Sequence, residues 1–185
     1  MNKKQHTLNA TIQLQGVGLH TGESVKVTIE PAAENYGYKF QRTDIEGEPI
    51  IPADADLVVS TERGTTLEKK GVKVNTTEHL LAALYGMQVD NALIKLEGSE
   101  IPIMDGSALP FVEAIEKAGL KEQQADRDYF EFKENRPFED LEKGIEMLGI
   151  PYDDFRLTVM VDYNSPVLGT QHASMYNIAE FKENI

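Results

Sequence analysis

The sequence predicts an α+β fold, a sheet with two helices packed on one face. Three observations point to it. Short segments of alternating apolar and polar residues run through most of the first 75 positions. The period then turns helical after residue 76 and again after residue 107, with a strand-like stretch between the two. Glycine- and proline-bearing turns separate the segments.

In chain order, TLNATIQL (7–14) alternates and predicts a strand. GVGLHTGE (16–23) is a glycine-punctuated turn. SVKVTIEPA (24–32) places Val25, Val27 and Ile29 on one face of a half-buried strand. YGYKFQRT (36–43) predicts another strand, followed by a DIEGEP turn. Short strands are expected at 56–60 and 71–75, with a charged hairpin at LEKKG. Thr76 or Thr77 is placed to cap a helix carrying Leu80, Leu81, Leu84 and Tyr85, and Gly86 ends it. NALIKLEG (91–98) is again a strand. SALPFVEAIEKAGL (107–120) predicts the second helix. Ser107 is its cap, Pro110 sits in its first turn, Phe111, Ile115 and Ala118 mark its buried face, and Gly119 stops it.

These elements define a first domain over 1–120. KEQQADRD (121–128) is a polar run that reads as a linker. Strands are expected to resume in DYFEFKE, GIEMLGIP and FRLTVMVDYN (155–164). HASMYNIAEFKENI begins like a strand and turns helix-like at its end. Residues 129–185 are few for an independent core.

The bulk numbers narrow the function. A formal charge of −13 disfavours nucleic acid and anionic membrane surfaces, which need a basic stripe, but leaves room for an anionic small substrate in a local pocket. The absence of cysteine excludes disulfides, thiolate zinc sites and cysteine nucleophiles. The first residues, MNKKQHTLNATIQL, lack the apolar core of a signal peptide. No transmembrane segment is expected, because no stretch approaches the roughly 20 apolar residues that span a bilayer. A soluble, cytoplasmic protein is the expectation.

NTTEHLLAAL (75–84) sets Glu78 beside His79 at a helix start. Hydrolytic zinc takes three protein ligands and a water, and a neighbouring carboxylate can accept that water's proton. A helix N-terminus favours both the ionised carboxylate and the neutral, metal-binding imidazole. A first-turn glutamate is also common for the dipole alone. Of the other histidines, His6 reads as solvated, His20 in the glycine turn reads as a substrate contact or, more commonly, a bond to backbone, and His172 in GTQHASM is open in the same way. None has helical spacing to His79. Asp105, before Gly106, reads as a turn residue bonding to backbone amides. Asp162 and Tyr163 end a strand, where a tyrosine can stack on a flat ring or simply pack.

GVGLHTG, PAAENYGYKFQRTD, NTTEHLLAAL, VDNALIKLEG and EIPIMDGSALPFVEAIEKAG occur in this order. Together they resemble the zinc-dependent UDP-3-O-acyl-N-acetylglucosamine deacetylases of lipid A biosynthesis (LpxC), densely over 1–120 and more loosely through VDYNSP. The resemblance implies two similar domains, each a sheet covered by two helices, with the active site between them. It implies Glu78 as general base, His79 as a zinc ligand, Leu19 and His20 close to the substrate, and Asp162 and Tyr163 near its uridine. Tyr163 stands where the family often has phenylalanine. The partner implied is a UDP-linked acylated amino sugar. Further zinc ligands, a His and an Asp, are expected beyond residue 185, so 129–185 is expected to be an incomplete second domain. The chain is then an amino-terminal fragment, inactive alone and prone to self-association. Some relatives continue into a fused dehydratase. The alternative is a non-catalytic binding or assembly module that keeps the fold.

Overall fold

The computed structural model describes residues 3–184. The described residues divide into two compact units, 3–127 and 128–184.

The first unit opens with β1 (Lys4–Leu8) and β2 (Ile12–Val17). The expected single strand over 7–14 is therefore two. The break at Asn9 has a topological cause: β2 pairs with the next strand, while β1 joins a different sheet. The core is a five-stranded sheet of β2, β3 (Ser24–Pro31), β9 (Ala92–Glu97), β4 (Tyr38–Arg42) and β5 (Ile50–Pro52), in that spatial order. β3 runs antiparallel to β9, and β4 runs parallel to it. The period-2 pattern fixes the faces. Val25, Val27 and Ile29 of β3 and Ala92, Ile94 and Leu96 of β9 are buried, as are Phe40 and Ile51. On the opposite face Lys26 meets Glu97 at 3.2 Å and Lys95 meets Glu30 at 2.8 Å, opposite charges across neighbouring strands.

A small sheet of β6 (Val58–Ser60), β7 (Thr66–Lys69) and β8 (Val72–Val74) precedes the first helix. Arg42, nearly buried, joins the end of β4 to β8. It donates to both oxygens of Asp44 at 2.8 and 2.7 Å and to the Lys73 carbonyl at 2.7 Å. That fork holds the Asp44 carboxyl below the usual range. Helix α1 (Glu78–Gly86) buries Leu80, Ala83 and Leu84. Helix α2 (Leu109–Ala118) buries Phe111, Val112 and Ile115. The two helices pack on each other, and α2 also reaches β2. α2 ends at Gly119, whose φ of 75° is open to glycine without strain.

The polar run expected to be a linker is instead β10 (Leu120–Asp126), antiparallel to β1. Its polar side chains are structural partners rather than a solvated tether. Gln123 donates to the Ala32 carbonyl at 3.0 Å and accepts from Asn91 at 2.8 Å, and the Gln124 amide donates to Glu34 at 2.6 Å. Just after it, Arg127 forks onto Asp90 at 2.6 and 2.7 Å and donates to the Gln88 carbonyl at 3.1 Å. His6 is also not solvated as expected. Its side chain is half-buried, and its backbone amide donates to Asp90 at 2.7 Å.

The second unit holds two separate hairpins. One pairs β11 (Arg136–Asp140) with β12 (Ile145–Gly149), and the other pairs β13 (Leu157–Asp162) with β14 (Thr170–Met175). α3 (Phe181–Asn184) follows. DYFEFKE does not form the expected strand. The strand lies at β11, where the Lys143 amide donates to Asp140 at 3.1 Å and closes the hairpin turn. None of the described residues of this unit is buried.

The Arg127–Asp90 fork fixes where β10 ends. Arg127→Ala removes the guanidinium from the Asp90 carboxylate, leaving it only the His6 amide, and is expected to destabilise the first unit by about 2–4 kcal/mol, read by urea unfolding.

Candidate active site

Glu78 and His79 open α1, and their placement begins with the two threonines before them. Neither hydroxyl caps the helix, contrary to expectation. The Thr77 hydroxyl donates to the Thr65 carbonyl at 3.2 Å, and the Thr76 hydroxyl donates to Glu100 Oε1 at 2.9 Å. Thr76 has a φ of 57°, a left-handed conformation that is costly for a β-branched residue. The chain turns sharply there and enters the helix at once.

Glu78 takes up one oxygen locally. Its Oε2 accepts from the Thr65 amide at 2.8 Å. Its Oε1 lies 4.0 Å from His79 Nε2, and both side chains are about a third exposed. The carboxylate and the imidazole thus stand side by side, fixed at one end and open to a substrate at the other.

The glycine turn lies next to this helix start through Glu100. Asn75 runs alongside Ser99–Ile101: its amide donates to the Ser99 carbonyl at 2.9 Å, and the Ile101 amide donates back at 3.0 Å. Glu100 follows into a fully buried position. Its oxygens accept from the His20 amide at 3.0 Å and the Thr21 amide at 2.9 Å, besides Thr76. Burial pushes this carboxyl up. The hydrogen bonds from Thr21, His20 and Thr76 outweigh burial and hold it below the ordinary range. Gly18 must be glycine here, because a Cβ would stand 2.3 Å from the Thr21 hydroxyl and 2.5 Å from a Glu100 oxygen.

Leu19 and His20 are presented at the surface of that turn, Leu19 with 57% of its area exposed. His20 Nε2 lies 3.0 Å from the Arg63 carbonyl, so that nitrogen carries the proton. Asp105 is a turn residue, as its sequence suggests: it accepts from the Ser107 amide at 2.9 Å and the Ser107 hydroxyl at 2.8 Å. Those bonds hold its carboxyl below the usual range, with a lesser contribution from His79. Ser107 in turn accepts from the Leu109 amide at 3.1 Å.

In the second unit, Asp162 ends β13 and accepts from the Asn164 amide at 2.9 Å. Tyr163 is half exposed. His172 lies on β14 opposite Met160 and is exposed. Glu100 and Thr65 are the residues that sequence reasoning missed, and Thr76, read as a helix cap, bonds Glu100 instead. The signal for Glu100 was a lone carboxylate at the head of an apolar IPIM run.

His79 presents a partly exposed imidazole with the Glu78 carboxylate beside it. Among the described residues no three His, Cys, Asp or Glu side chains converge to hold a metal. The pair offers one imidazole nitrogen donor with one carboxylate beside it.

The first unit thus fixes a carboxylate beside an imidazole at a helix N-terminus. The family model for UDP-3-O-acyl N-acetylglycosamine deacetylase, LpxC, matches residues 5–185. The chain belongs to this family. It is 49% identical over 174 residues to a bifunctional enzyme LpxC/FabZ of Chlorobaculum tepidum, covering 94% of this chain and 37% of the relative. The corresponding enzyme of Bacteroides thetaiotaomicron is 45% identical over 182 residues, covering 98% of this chain and 40% of that one. A UDP-3-O-acyl-N-acetylglucosamine deacetylase of Methylococcus capsulatus is 44% identical over 164 residues, covering 89% and 53%. The chain spans about half or less of the length of these relatives.

The Glu100 shift sets a pH dependence. A carboxyl lowered in the fold adds stability above its unfolded value and loses it as pH falls through the folded one. Melting followed by circular dichroism is expected to hold from about pH 7 to about pH 5 and to drop below about pH 4.

Proposed function

We propose that these residues form the base-bearing part of a zinc-dependent deacetylase acting on the N-acetyl amide of UDP-3-O-acyl-N-acetylglucosamine. The observation that carries the reading is the Glu78–His79 pair, 4.0 Å apart on the first turn of α1. Its family membership supports the substrate class. His79 would contribute one imidazole ligand. Bound zinc would polarise the amide carbonyl and acidify a water. Glu78 is anchored through Oε2 on the Thr65 amide, which leaves Oε1 free to accept that water's proton. Leu19 and His20 line the approach to the pair, and Asp162 and Tyr163 contact the uridine end, where the exposed phenol ring can stack. A cytoplasmic location belongs to the same reading, because a nucleotide sugar is the substrate.

In the complete deacetylase that carries these residues, Glu78→Ala is expected to lower kcat by about 10²–10⁴-fold with metal retained, the range for losing a general base. His79→Ala is expected to lose metal as well as activity. Metal analysis beside an amide-hydrolysis assay separates the two, and undiminished turnover in Glu78→Ala refutes the assignment. The 185-residue chain alone is expected to show no turnover and no tight one-to-one zinc isotherm, because hydrolytic zinc takes three protein ligands.

Self-association through the second unit completes the proposal. Phe130, Leu141 and Val167 are 87%, 79% and 91% exposed there. Sedimentation velocity is expected to show association that grows with concentration, and a monomer at every concentration refutes it.

A further inference from the structure

We propose that Glu100 is a positioning residue for the active site, a buried carboxylate that locks the Leu19–His20 turn to the start of the helix bearing Glu78 and His79. The inference rests on the deacetylase reading and adds to it a residue that contacts neither substrate nor metal.

Four observations carry it. Glu100 is fully buried, and a buried carboxylate is tolerated only when hydrogen bonds replace its water. Its donors come from two different segments: the His20 and Thr21 amides on the glycine turn, and the Thr76 hydroxyl two residues before Glu78. Gly18 has no side chain where one would overlap a Glu100 oxygen, so the turn is shaped to let the carboxylate in. Thr76 itself holds a left-handed φ of 57°, costly for a β-branched residue, while its hydroxyl bonds Glu100. Such strain persists only where surrounding contacts over-determine it.

The chemistry explains why a carboxylate is required. It accepts from all three donors at once, Oε1 from the His20 amide and the Thr76 hydroxyl and Oε2 from the Thr21 amide. An amide in its place turns an NH2 group toward backbone N–H donors, which it cannot satisfy. The turn then loosens, while the helix start keeps its own bond from Thr65 to Glu78. Substrate contacts made by Leu19 and His20 suffer more than the proton transfer at Glu78.

The test is Glu100→Gln, read twice. In the 185-residue chain, exchange of the His20 and Thr21 amides is expected to speed up by about tenfold or more, while Val27 and Ile29 of β3 stay protected. In the complete deacetylase, KM is expected to rise about tenfold with kcat within about threefold of its starting value. Unchanged exchange at His20 and Thr21 overturns the proposal, and so does a fall in kcat with KM unchanged. If Glu100→Gln unfolds the first unit, Thr76→Val serves in its place. It removes one donor at constant shape and is expected to speed exchange at the same two amides, with Thr76→Ser restoring wild-type exchange. No change in Thr76→Val overturns the proposal. Turnover that survives Glu78→Ala refutes the base assignment instead, and the exchange result then decides Glu100 alone.

Discussion

The buried carboxylate of Glu100 is the constraint on which the arrangement of the site depends. A charge with no solvent contact must find its hydrogen bonds inside the protein, or the fold would expel it. Here the donors are offered by a β-hairpin turn and by the residue that starts a helix. Satisfying one side chain therefore fixes the relative position of two segments far apart in sequence. The left-handed Thr76 and the bare Gly18 are local consequences of that requirement.

The same logic closes the far side of the first unit. Asp90 is held by the Arg127 fork and by the His6 amide, so the loop after α1 is tied to both β1 and the end of β10. The Tyr38 hydroxyl donates to the Val89 carbonyl, and burial first, then the Asp90 charge, raises the pKa of that phenol well above its ordinary value. Beside these polar clusters, β3, β9, α1 and α2 contribute a buried apolar core. The core supplies cohesion, and the polar clusters supply position, because apolar contact is non-directional and a hydrogen bond is not.

The second unit has a different balance. Its strands satisfy their backbone groups in pairs, yet its apolar residues stay in contact with water. A two-stranded hairpin has marginal stability by itself, because neither face is covered. Asp162 and Tyr163 are carried on such a hairpin, whereas Glu78 and His79 are carried on a helix packed into a core.

Local pattern determined much of this protein. Alternation placed β3, β4 and β9, and helical spacing with glycine stops placed α1 and α2, because side-chain period and backbone preference act over a few residues. The Glu78–His79 pair and the ordered motifs were legible for the same reason, as was the turn role of Asp105. Other features were decided only by tertiary structure. TLNATIQL splits because its halves join different sheets, and KEQQADRD is a strand because β1 and Asn91 give its polar groups partners. The threonines before α1 forgo capping for Glu100 and Thr65. Glu100 itself meets Thr76 across 24 residues and His20 across 80. No window of sequence contains such a pairing, since its energy depends on burial that exists only once the sheet, the turn and the helix have come together.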